Sequence, residues 1–141
     1  MIRVLIDTNV FLDYALKQSN SVELTVQIFQ KIFDKKFEGC VSSSVITDVY
    51  YVIKKRTNKE NARKFVETAY QMLTILPVNR KTIRDALESS MGDFEDAVQA
   101  FAARAMNVGI VVTRDKTGFA DSGMTVFTPQ EFLTYLEFPS K

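Results

Sequence analysis

Residues 2–6 form a short run rich in β-branched side chains that stops at Asp7-Thr8-Asn9. Such a run predicts a buried strand. The pattern returns at residues 40–42, 74–78, 108–113 and 126–127. Helical periodicity fills the intervals, over about residues 10–16, 22–36, 45–56, 59–73, 79–89, 93–106 and from Pro129 onward. Strands that alternate with helices imply a mostly parallel sheet covered on both faces. The chain is therefore expected to be α/β, a three-layer α/β/α sandwich with about five strands. Its 141 residues, 46% of them hydrophobic, suffice for one ordinary domain over residues 1–141.

Local signals mark the element ends. Ser19-Asn20-Ser21 reads as a loop that offers a cap to the second helix, and Gly39 as the stop after it. Two serines, Ser43 and Ser44, precede an apolar run that could be strand by propensity. The basic tail Lys54-Lys55-Arg56 suits a helix C-terminus, so helix is expected there. Asn58, Asn79 and Asp93 stand where helix caps belong, and Thr128-Pro129 opens the last helix.

Composition removes several kinds of chemistry. There is no histidine, so serine–histidine and cysteine–histidine hydrolysis and imidazole-held zinc are excluded. The single cysteine, Cys40, excludes an intrachain disulfide and reads as a small core residue. The formal charge of +1 favours no class of partner. No leader-like segment and no run of membrane-spanning length is seen, which leads to the expectation of a reduced, cytoplasmic setting without a membrane partner.

Two of the strands end in acids, Asp7 and Asp115. Two of the helices begin near acids, Asp48 and the Asp93/Asp96 pair. In a parallel α/β sheet these ends share one edge, where such folds bind ligands. Carboxylates about 4 Å apart repel by roughly 4 kcal/mol at an effective dielectric near 20. A cluster of them calls for protons or cations, and oxygen-only ligands select Mg2+ or Mn2+. Such a metal can activate water against a phosphodiester without histidine. Each acid also has a plainer use. Asp7 or Thr8 caps a helix, Asp48 sits on a solvated face, Asp93 caps, Glu95 faces solvent, and Asp115 and Asp121 make turns.

Ile6-Asp7-Thr8-Asn9-Val10 with Asp13 nearby, Asp93-Phe94-Glu95-Asp96-Ala97 before an alanine-rich helix, and Val112-Thr113-Arg114-Asp115 together resemble the PIN domain. They are most similar to its bacterial branch of VapC-type toxins, and the resemblance runs over essentially the whole chain. It implies a metal-dependent ribonuclease that hydrolyses RNA phosphodiester bonds with Mg2+ or Mn2+. Carried over by position, the catalytic acids are Asp7, Asp48, Asp96 and Asp115. Asp7, Asp96 and Asp115 are the metal ligands, with Asp93 as a secondary candidate. Thr8, Asn9 and Thr113 would orient ligands or waters. Asp48 stands where the family more often has Glu, so its reach to a metal would run through water. Charge alone adds Arg114, Arg56 and Lys55 as RNA contacts, with solvation as their plainer role. The resemblance further implies a small antitoxin partner and a homodimer. A PIN fold without nuclease activity, acting by RNA binding or protein interaction, is the competing expectation.

Overall fold

The computed structural model describes residues 1–18 and 20–138; Ser19, expected in a loop, lies outside the described residues. Five strands form one parallel sheet: β1 (Arg3–Ile6), β2 (Glu38–Ser42), β3 (Thr74–Leu76), β4 (Ile110–Val112) and β5 (Thr125–Phe127), in the order β3-β2-β1-β4-β5. Leu5 pairs with Cys40 on one side and Val111 on the other. Successive strand residues point to opposite faces. Val4, Ile6, Val41 and Val112 enter one core, and Leu5, Cys40, Leu76 and Val111 enter the other.

The first core is covered by α1 (Thr8–Leu16), α2 (Val22–Phe33), α3 (Ser43–Arg56), α4 (Lys59–Met72) and α7 (Pro129–Glu137). Phe11, Ile28, Phe37 and Phe132 are among its largest buried side chains. The second core is covered by α6 (Phe94–Ala105) and a 3-10 turn (Lys116–Phe119), with α5 (Arg80–Glu88) packed against α6. Alanines 97, 100, 102 and 103 are all buried, which lets α6 lie close to the sheet. This is the expected three-layer sandwich. The run after Ser43-Ser44 is helix, as its basic tail indicated; the two serines lie inside it, and the cap position falls to Ser42, whose side chain makes no capping bond.

The caps agree with the sequence: Asn58, Asn79, Asp93 and Thr128 each accept a backbone N–H. The end of α2 does not. It stops at Phe33, and Lys35 turns the chain in the left-handed region (φ 59°). Gly39 lies instead inside β2, where a Cβ would stand 2.7 Å from Ile32 Cδ1 and 2.8 Å from Leu73 Cδ2. Its smallness serves helix–sheet packing rather than a helix stop. β3 ends one residue before Pro77, which cannot donate to a ladder.

The strand order reverses direction at β1: the chain builds outward through β2 and β3, then returns to β4 beside β1. A crevice opens outside the strand C-termini at such a point. Asp7 follows β1 there, and Thr113 follows β4.

Candidate active site

Asp7 is the N-cap of α1 and the centre of a hydrogen-bond cluster, so its plain use and its functional use coincide. Its Oδ1 accepts from Thr8 N at 2.7 Å and from Gln99 Nε2 at 3.0 Å. Its Oδ2 accepts from Thr113 Oγ1 at 2.7 Å. With only 5% of the residue exposed, burial raises its pKa. The bonds from Thr113, Gln99 and Thr8 pull the value back, and the charge of Asp115 pushes it up again. A carboxylate oxygen has two lone pairs. Oδ1 uses both, whereas Oδ2 keeps one.

Asp96 lies in the first turn of α6, where its backbone N–H bonds Asp93 Oδ1 at 2.9 Å. Burial, and then the charges of Asp7, Asp93, Asp115 and Glu95, push its carboxyl up to about 7. Asp115 follows β4 and is held low, chiefly by the hydroxyl of Thr117, which donates to its Oδ1 at 2.6 Å. Gly118 shows how close these acids come. A Cβ there would stand 2.5 Å from Asp96 Oδ2 and 3.7 Å from Asp115 Oδ2. A side chain there would force the Asp96 carboxylate to shift.

Thr113 ties the parts together. It donates to Asp7, and its hydroxyl oxygen accepts from Asp115 N at 3.1 Å and from Asn9 Nδ2 at 3.4 Å. Asn9 Oδ1 accepts from Arg114 N at 3.3 Å. Thr8 contributes its backbone N–H to Asp7. Thr8, Asn9 and Thr113 thus lie around Asp7 and the segment that carries Asp115.

Asp7, Asp48 and Asp96 line a cleft of about 500 Å³, together with Asn9, Ser44, Phe94, Glu95 and Gln99. Asp48 is exposed and faces the cleft from α3, without a direct bond to the other acids among the described residues. Asp93 caps α6 and acts on Asp96 through its charge. The three basic residues singled out by charge do not line this cleft. Arg114 Nε stands 2.6 Å from Asp13 Oδ2, Arg56 Nη1 donates to Gln18 Oε1 at 2.6 Å, and Lys55 lies over the Tyr51 ring. A wider hollow of about 950 Å³ over α5, lined by Arg80, Lys81 and Arg84 among others, shares Ile83 with the cleft.

Gln99 and Gly118 are site residues that spacing did not reveal. Gln99 left one signal: it is a lone amide on the small apolar face of α6, one turn after Asp96. It is buried, and its Oε1 has no hydrogen-bond partner.

The donor set is all oxygen, which suits Mg2+ or Mn2+. Among the described residues no three acids stand close enough to enclose one ion. Mg2+ does not need that, since it takes one or two carboxylates and keeps several waters. The free lone pair of Asp7, the charge-loaded Asp96 and the unpaired Gln99 oxygen fit a hydrated cation.

The PIN domain family model matches residues 3–117. The chain belongs to the PIN domain family. All four acids carried over by position fall inside the matched span, while β5 and α7 follow it. Ribonuclease VapC1 of Aquifex aeolicus is 28% identical over a 135-residue alignment that covers 92% of this chain and 92% of that one. The DNA-bound VapBC structure from Salmonella typhimurium superposes with a TM-score of 0.69 at 19% identity, over 92% of this chain and 99% of that one. The sarcin-ricin loop cleaving toxin VapC20 of Mycobacterium tuberculosis has a TM-score of 0.68 at 11% identity, over 83% and 93%. At such identities the structures establish the shared fold.

Proposed function

We propose that this PIN domain is a divalent-metal-dependent endoribonuclease, the toxin of a toxin–antitoxin pair. The observation that carries the reading is the meeting of Asp7, Asp96 and Asp115 at the C-terminal edge of the sheet, from segments about a hundred residues apart, in a chain that resembles a protein named a ribonuclease. A bound Mg2+ or Mn2+ would polarise a phosphodiester and lower the pKa of water.

The chain's own residues do the rest. Asp7, Asp96 and Asp115 would hold the cation together, one or two of them directly and the rest through its waters. Thr113 and Gln99 fix the Asp7 carboxylate so that one lone pair of Oδ2 stays available. Asp96, whose carboxyl is pushed up to about 7, would give up its proton share where a cation is bound. Asp48 faces the cleft from α3, placed to orient water. Similarity to VapBC complexes and to a structure described as a toxin–antitoxin complex from Klebsiella pneumoniae supports a small antitoxin as partner. A homodimer and a cytoplasmic setting belong to the same reading.

The test is cleavage of an RNA panel, with DNA of the same sequences as control, by wild type and Asp7→Asn in Mn2+. Cleavage of RNA by wild type alone is expected. Undiminished cleavage by a clean Asp7→Asn preparation, or no cleavage and no Mn2+-induced rise in melting temperature in wild type, overturns the reading. The second result favours a silent interaction module.

A further inference from the structure

Asp13 is a buried acid that the proposed chemistry does not use. It lies on α1, is 0% exposed and does not line the cleft. Neither of its oxygens accepts a well-aligned hydrogen bond. Its compensation among the described residues is the Arg114 guanidinium, whose Nε stands 2.6 Å from Oδ2 and whose side chain is 42% exposed. A buried charge kept with one partner is weak evidence for stability, because an apolar pair would serve as well. Its place in the chain supplies another purpose. Arg114 sits between Thr113, which bonds Asp7, and Asp115. Asn9, one turn before Asp13 on the same helix, grips the backbone N–H of Arg114. Helix α1 thus holds the segment that follows β4 at its backbone and at its side chain.

We propose that Asp13 is a positioning residue: through Arg114 it fixes the segment carrying Thr113 and Asp115, and so sets the cation affinity of a site it never enters. The proposal rests on the metal-site reading given above. It also gives Arg114 a role other than contact with RNA.

Calorimetric Mn2+ titration of Asp13→Asn, Arg114→Gln and the double variant tests it, with melting temperature and amide exchange of residues 114–116 measured alongside. Groups that orient metal ligands typically contribute 10–100-fold to affinity. Each single variant is expected to lose about tenfold or more, with kcat for RNA reduced and KM little changed. The double variant leaves no buried charge unpaired, so its melting temperature recovers, yet its Mn2+ affinity stays low and the 114–116 amides still exchange fast. Arg114→Lys, which keeps the charge, lies between wild type and Arg114→Gln. Three results overturn the proposal: wild-type affinity in Asp13→Asn, affinity that recovers together with stability in the double variant, or a change confined to KM in Arg114→Gln. If wild type takes up no Mn2+, the functional reading fails by itself. Amide exchange then decides the positioning role, which unchanged rates in Asp13→Asn refute.

Discussion

Replacing Asp96 by Asn should stabilise the metal-free protein while removing its response to metal. The Asp96 carboxyl is pushed up to about 7 from 3.8 by burial and by Asp7, Asp93, Asp115 and Glu95. In a fully sheltered site that shift would set about 4 kcal/mol against the ionised form. Asp96 is partly solvated, and screening reduces the figure to roughly 2 kcal/mol. Asn also forgoes the attraction between a carboxylate and the N-terminus of α6, about 0.3–1 kcal/mol. The net expectation is a gain of about 1–1.7 kcal/mol at pH 8, or roughly 3–5 °C in melting temperature. The sign follows from linkage. The folded state binds the proton more tightly than the unfolded chain, so wild type loses stability as pH rises from about 4 to about 7 and levels off above. The advantage of Asn should therefore be absent at pH 4 and complete at pH 8. Thermal melts of both proteins over that range, with and without Mn2+, make the measurement. Wild type should gain from Mn2+ above pH 7 and little at pH 5.5, where the proton competes; the variant should gain almost nothing. A variant that melts no higher than wild type at pH 8 would refute the idea that the Asp96 carboxylate is held against burial and repulsion.

Gly118→Ala would drive a methyl against Asp96 Oδ2, so Mn2+ titration should show weakened binding in a protein whose circular dichroism is unchanged. Thr113→Val removes a bond to buried Asp7 and should lower stability by about 1–3 kcal/mol in chemical denaturation. It should also shift the acidic limb of the activity profile to higher pH, since that bond holds the Asp7 pKa down. Phe94 is 47% exposed in the cleft wall, and Phe94→Ala should cost about 1–3 kcal/mol in single-stranded RNA binding if a base stacks on it, measured with catalysis blocked by Asp7→Asn. Burial pushes the Cys40 thiol up to about 11, so a thiol reagent at pH 8 should label it at the rate of unfolding.

The fold was legible because its signals are local. Short β-branched runs, asparagine and aspartate caps, and Pro129 at a helix start are each read within a few residues. Gly39 shows the limit: the same residue that stops helices also permits close packing, and only the positions of Ile32 and Leu73 decide between the two. The acids were legible through their addresses at strand ends and helix starts. Gln99 and Gly118 were not, because an amide on an alanine-rich face and a glycine in a turn carry no chemistry until a carboxylate lies beside them. Arg114 was read by charge as a contact for RNA. Its pairing with Asp13 spans about a hundred residues and leaves no trace in local spacing.

The strand order has a kinetic consequence. β1 leads into Asp7, and its partner β4, which brings Thr113 and Asp115, is made about a hundred residues later. Pairing these strands closes a loop of about a hundred residues, a contact of high sequence separation that is slow to form. Until it forms, Asp7 is a lone helix cap and Asp96 an ordinary surface acid. A chain still emerging during synthesis therefore has no assembled acidic cluster. If the site cuts RNA, that capacity arises only once β4 has paired with β1.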